Sequence, residues 1–179
     1  MREEKLTANY AALVRQILEA VPGSRYLYAG KNRQPWFEAL LPPDRVHFIG
    51  WVNTRMWVQV LDVYLDTFPF QSGHTVFEAM ASSIPVVWLH DAAYATEQGV
   101  SGVIQPRWHG LYSADPIDTT AAGYIARAVA LAQNSDARRR LGAANRTFFS
   151  HFMQDKRRMA DSVSRALLDV IHSPRLQPR

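Results

Sequence analysis

Polar and apolar positions along the chain change period several times, and the changes divide it into helices and strands. Residues from Thr7 on place Tyr10, Leu13, Val14, Ile17, Leu18 and Val21 three and four apart, the inner face of a helix over 7–20 that Pro22-Gly23 stops. Residues 24–30 (SRYLYAG) alternate as a strand ending at a glycine, with Lys31 and Asn32 just beyond. A short helix is expected over 34–41, closed by Pro42-Pro43, and an apolar strand over 45–52 (RVHFIGWV). Thr54 reads as the cap of a helix carrying Met56, Trp57, Val60 and Leu61 at helical spacing. Residues 62–89 (DVYLDTFPFQSGHTVFEAMASSIPVVWL) then read as a buried strand at Val63-Tyr64-Leu65, a polar loop at Gln71-Ser72-Gly73, a helix opening near His74-Thr75 and a second buried strand over 86–89.

Beyond that unit, 92–100 is weakly helical, 102–105 a short strand and 110–111 an edge segment. Three helices follow, over 118–133 with Ile125, Val129, Leu131 and Ala132 facing inward, over 136–151, and over 155–172 before Pro174. Strands and helices alternate for two thirds of the length. The expected fold is therefore α/β, a doubly wound, mainly parallel, Rossmann-like sheet with a helical C-terminal end, forming one domain over 1–172 and a frayed tail over 173–179.

The βαβ unit at 62–89 is where chemistry is expected. Its crossover helix starts beside the carboxyl end of the first strand, so free amides and the positive end of the helix dipole face the crevice where α/β proteins bind ligands. Gly73 lets backbone approach an anion closely, Thr75 offers a hydroxyl in the first turn, and Glu78 lies one turn further on.

Composition narrows the classes. The 179 residues are 47% hydrophobic and 20% charged, which suits one well-packed globular domain. Cysteine is absent, so neither disulfides nor thiolate metal sites arise, as in a reducing compartment. No apolar run approaches the roughly 20 residues that span a bilayer, and residues 1–5 do not open a signal peptide; a soluble, cytoplasmic chain is expected. The net charge of +4 is spread among acids, and its densest clusters, Arg138-Arg139-Arg140 and Lys156-Arg157-Arg158, fall on amphipathic stretches where a solvated helix face is expected rather than a nucleic-acid surface.

The segments, taken in order, resemble the C-terminal, nucleotide-sugar-binding half of a GT-B glycosyltransferase. REEKL resembles the Arg/Lys-bearing loop after the first strand of that half, PGSRYLYAG its second strand, and RVHFIGWV the strand whose end holds the nucleobase. DVYLDTFPFQSGHTVFEAMASSIPVV resembles the diphosphate and ribose segment and is closest in wording to the branch containing the O-linked N-acetylglucosamine transferases; YIARAVALAQNSDARRRLGAANR also resembles the family's helical end. The resemblance implies a metal-independent glycosyltransferase taking a nucleoside diphosphate sugar, with a UDP-sugar expected, and passing the sugar to a protein or glycan acceptor. It places Glu78 on the ribose, makes a diphosphate cradle of Gly73, His74 and Thr75, sets the base against backbone near Gly50 and Trp51, and gives Arg2 and Lys5 the charge on the departing diphosphate.

Two departures accompany it. The family's first strand should precede Arg2, and the N-terminal half that usually holds the acceptor is expected as a missing partner, so the chain reads as a fragment or isolated domain. Gly73-His74-Thr75 stands where relatives carry a histidine-threonine-threonine run, and Phe70, eight before Glu78, leaves the paired-glutamate motif of other retaining enzymes incomplete.

Other candidates have plainer readings. Asp62 and Asp66 bracket one strand, roughly 13 Å apart if extended, and are expected to cap neighbouring backbone. His47, His90, His109, His151 and His172 lack metal-ligand spacing, so no metal and no cofactor are expected. The five tryptophans read mostly as core or rim packing. Three alternatives stay open: a sugar-nucleotide epimerase or phosphorylase of the same architecture, a non-catalytic nucleotide- or protein-binding module, and a nucleic-acid binder.

Overall fold

The computed structural model describes residues 5–70, 73–90 and 120–171. The expectations for Arg2, Gln71, Ser72, His109, the segments over 92–100, 102–105 and 110–111 and the tail over 173–179 lie outside the described residues.

The first helix, α1, spans Ala8–Ala20. Thr7 caps it, its hydroxyl accepting the Tyr10 amide at 3.1 Å, and the predicted stripe of Tyr10, Leu13, Val14, Ile17 and Leu18 is buried. Its far end is closed by a distant residue. The Arg45 guanidinium donates to the carbonyls of Leu18, Val21 (2.8 Å) and Ser24 (3.0 Å), meeting acceptors that a helix end leaves without partners. That tie fixes the start of the second strand against the first helix.

Strand β1 (Tyr26–Tyr28) pairs in parallel with β2 (Val46–Phe48), Tyr26 opposite Val46 and Tyr28 opposite Phe48. Between them α2 (Pro35–Glu38) is a single turn held by Phe37, which is fully buried against Tyr10, Tyr26 and Tyr28 at ring separations of 5.7 to 6.4 Å. A second parallel pair joins β3 (Tyr64–Leu65) to β4 (Val86–Val87) through α4 (His74–Ala81), the βαβ unit expected from the sequence. Before it, α3 (Thr54–Trp57) runs into a 3-10 turn at Val58–Val60.

Period-two alternation shows why helices cover both faces. Val87 and Leu89 belong to the core cluster built on α1, whereas Val86 and Trp88 belong to a second cluster with Val76, Ala79 and Met80 of α4. The first layer is completed by Tyr124, Ala128 and Leu131 of α5 (Ala121–Gln133), the second by Phe148 of α6 (Ser135–Phe148). A π-helical turn at Phe149–Met153 leads to α7 (Lys156–Ile171). The doubly wound α/β arrangement with a helical C-terminal end is thus present, drawn as two parallel ladders.

Four local readings change. Asn53, not Thr54, occupies the cap position of α3, and no side chain caps it. That helix does not bury the face its spacing suggested: Met56, Trp57 and Val60 are exposed and Val58 takes the core position. Asp62 pairs with Arg138 at 3.4 Å instead of capping backbone, while the Arg138 guanidinium also donates to the Leu131 and Ala132 carbonyls at 2.8 Å, so this arginine is a clasp between elements and not part of a solvated face. Among the described tryptophans, Trp88 is buried but Trp36, Trp51 and Trp57 are exposed.

Candidate functional site

The carboxyl ends of β1 and β2 and the head of α4 surround a cleft of about 330 Å³. It is lined by the end of β1, by Ile49 and Trp51 after β2, by Trp57, Tyr64 and the turn Gly73-His74-Thr75, and by Lys5. Five residues named from sequence, Lys5, Trp51, Gly73, His74 and Thr75, come together here from three separate parts of the chain.

Each is placed by a local cause. Gly50 has φ +72, a conformation that favours glycine, and its carbonyl accepts the Gly30 amide at 3.0 Å. This turn holds the ends of β1 and β2 together and throws Trp51 outward, leaving it 82% exposed. Gly50 itself does not line the cleft, and its carbonyl is already engaged, so a base edge would meet the Trp51 side of the turn.

Gly73 is the N-cap of α4, and among the described residues no side chain caps the helix. Helix heads carry amides without intrahelical partners and a positive dipole end, so an uncapped head opening on a cleft favours an anion there. Thr75 lines the cleft with its hydroxyl 2.8 Å from that of Tyr64 on β3, a partner the sequence reading treated only as strand core. The pair fixes the Thr75 rotamer against the sheet. The signal available in sequence was slight: a tyrosine alternating outward from a buried strand.

Glu78 does not line the cleft. It is half-buried one turn below the head of α4, and its Oε2 is enclosed without a hydrogen-bond partner. A buried carboxylate oxygen left unpaired is costly and marks a place where donors are wanted. Trp57 is the other residue that the sequence reading assigned elsewhere; spacing alone does not tell a ring facing a cleft from one facing a core.

Beneath the cleft, hydroxyls of aromatic residues bind the layers. The Tyr26 hydroxyl donates to that of Tyr10 at 3.1 Å, Tyr10 to the Leu65 carbonyl at 3.3 Å and Tyr124 to the Asp66 carbonyl at 3.0 Å. Burial first, then neighbouring hydroxyls, pushes Tyr10 and Tyr124 well above the ordinary phenol value, and burial pushes Tyr26 up as well. Tyr28, on the cleft wall, is pushed up to about 12 by burial and then by its bond to the Glu38 carboxylate. Arg33 and Tyr28 in turn hold the Glu38 carboxyl below its usual range. Among the described residues no three His, Asp or Glu side chains gather as a metal site, and no helix is long and apolar enough to cross a membrane.

Comparison with known proteins places these features in context. Residues 3–134 match the family described as glycosyl transferases group 1. No curated protein matches the chain. Among solved structures, a lysine-to-methionine mutant of the Thermobaculum terrenum O-GlcNAc transferase is similar over 92% of this chain, with a TM-score of 0.72 and 22% identity. The chain spans about a third (34%) of the length of that protein.

Proposed function

Because the chain belongs to the glycosyl transferases group 1 family, we propose that its cleft is the donor site of a glycosyltransferase and takes a nucleoside diphosphate sugar, a UDP-sugar first among candidates. One observation carries this reading: the head of α4, without a side-chain cap among the described residues, opens into the same cleft that Lys5, Trp51 and Trp57 line. That combination suits a ligand with a charged middle and a flat aromatic end.

The diphosphate lies against the Gly73, His74 and Thr75 end of the helix, where amides and dipole meet its charge. Lys5, joined by Arg2 ahead of it, adds positive charge as the diphosphate leaves, so that stabilisation grows in the transition state. The base lies between Trp51 and the β2 end; Glu78 lies behind the cleft lining, so answering the ribose hydroxyls, donors that suit its unpaired carboxylate oxygen, requires the head of α4 to shift and admit them. Transfer to a protein or glycan acceptor requires the acceptor to be positioned opposite this cleft, the task of a second GT-B half. The chain by itself is expected to bind donor weakly and turn it over little.

Titration calorimetry with UDP, GDP and ADP tests the proposal, beside Glu78→Ala. Preference for one diphosphate is expected, weakened about tenfold or more in the variant, the order of a hydrogen bond to a charged group at about 1.5–3 kcal/mol. Heat that is absent for all three nucleotides, or equal for all and indifferent to Glu78, would refute it.

A further inference from the structure

Thr75 stands second in α4, near a helix start, where a threonine hydroxyl commonly turns back to bond neighbouring backbone. Here it turns to the sheet instead. Its one partner among the described residues is the Tyr64 hydroxyl, 2.8 Å away, and both residues line the cleft. Tyr64 is itself held from two sides. Its amide bonds to the Pro85 carbonyl at 2.8 Å in the β3–β4 ladder, and its half-buried ring packs against the cluster that contains Val76, Met80 and Val86.

A pair of hydroxyls has two protons and needs only one for the bond between them. A phenol is the better donor and an aliphatic hydroxyl the better acceptor, so the Tyr64 proton makes this bond and the Thr75 proton is left over. The Val76 amide is taken by the Gly73 carbonyl at 3.3 Å, which leaves the amides ahead of it and this proton as the donors at the helix head.

We propose that Tyr64 is a positioning residue for an oxyanion at the head of α4: its phenol donates to Thr75, keeps that hydroxyl from folding back on the helix, and turns the Thr75 proton to a phosphoryl oxygen in the cleft. Tyr64 acts through Thr75 and touches no ligand atom. A hydroxyl that accepts one hydrogen bond donates its own more strongly, so the two work as a relay from the sheet to the anion. This role presupposes the diphosphate at the helix head argued above, and it assigns the contribution of Tyr64 to the phosphate part of the ligand and none of it to the base.

Titration calorimetry at constant ionic strength with UDP, uridine and inorganic pyrophosphate tests the role on the parent, Tyr64→Phe, Thr75→Val, the double variant and Thr75→Ser, with thermal unfolding read for each. Tyr64→Phe is expected to weaken UDP and pyrophosphate about three- to tenfold, the order of one hydrogen bond, and to leave uridine unchanged. Thr75→Val should lose at least as much, Thr75→Ser should recover most of that by keeping the hydroxyl, and adding Tyr64→Phe to Thr75→Val should cost nothing further. A parent that binds neither UDP nor pyrophosphate overturns the role together with the donor-site reading. Where the parent binds, the role alone is overturned by unchanged UDP affinity in Tyr64→Phe, or by an equal loss for uridine, the mark of a ring that only packs the wall. Losses that add in the double variant also overturn it, since they put the Tyr64 hydroxyl on the ligand itself. So does a Thr75→Val protein that binds pyrophosphate as tightly as its parent, a result that needs no Tyr64 variant to fold.

Discussion

Gly142→Ala is the substitution whose cost the structure defines most closely. Gly142 lies on α6 where that helix crosses the tail of α4, and a Cβ added there would sit 1.9 Å from the Ser83 carbonyl oxygen and 2.8 Å from its carbon. Ordinary contact begins near 3.4 Å, so one helix must retreat by about 1.5 Å, and the obstruction is backbone, which has no rotamer to give. The tail it meets is already held tightly. The Ile84 amide bonds to the Ala79 carbonyl at 2.9 Å and the Ser83 amide to that of Met80 at 3.0 Å, a Schellman closure that places Ser83 at φ 60, a conformation costing a non-glycine residue about 1 kcal/mol. Three and four residues on from Gly142, about one turn, Asn145 donates to the Ile84 carbonyl at 3.4 Å and Arg146 to the Ala81 carbonyl.

Overpacking typically costs about 1–3 kcal/mol, and a rigid obstruction belongs at the upper end; the better helix propensity of alanine returns about 1 kcal/mol. The net loss is therefore about 2 kcal/mol, or about 4–8 °C in Tm for a chain of this length. Circular dichroism during heating and urea titration would measure it, with Gly73→Ala as the control, since a Cβ there meets nothing within 4 Å. Ser83→Gly should soften the clash by freeing the obstructing carbonyl, so the double variant is expected to be less destabilised than the sum by about 0.5 kcal/mol or more. A Gly142→Ala protein as stable as its parent would show that α4 and α6 are not in the close contact described, and the argument would fail.

Two further predictions concern other parts of the molecule. Tyr10, Tyr26 and Tyr124 have folded values raised above the ordinary 10.0, so the stability they contribute is fully present below about pH 10 and is lost as pH rises through the folded values; three of the seven tyrosines should stay silent at 295 nm until the protein unfolds. Five or more of the seven ionising in the native state would contradict this. Trp51→Ala should leave Tm near the parent's, because the ring is exposed, while weakening nucleoside diphosphate binding by about 1–3 kcal/mol if a base stacks on it; unchanged affinity in calorimetry would remove the base from this wall.

Much of this architecture was legible because its signals are local. The stripe on α1 and its Pro22-Gly23 stop depend only on spacing and backbone preference, and both appear as expected. The stretch after Asn53 misled because helical periodicity reports that one face is apolar without saying what that face meets. Met56, Trp57 and Val60 have the spacing of a core helix and stand exposed, Trp57 on the cleft. Arg138 was misread for a related reason: among three consecutive arginines only tertiary placement distinguishes the one that reaches the α5 carbonyls and Asp62. For the candidate site, the turn at Gly73-His74-Thr75 was visible from the βαβ pattern, but the Thr75 to Tyr64 contact joins two elements and has no signature in either.

The same α4 helix joins these observations. Its head is uncapped and faces the cleft, whereas its tail is closed by two reciprocal backbone bonds and by three residues of α6. A helix free at both ends would spend binding energy on ordering itself whenever an anion arrived, and ordering side chains and loops at a binding surface commonly costs about 0.5–1.5 kcal/mol for each group immobilised. Clamping the tail removes that cost in advance without filling the head. Loss of the clamp should therefore weaken ligand binding even though no residue of α6 lines the cleft, and the loss should fall on affinity rather than on which nucleotide is preferred, because Trp51 and the β2 end belong to neither clamped helix.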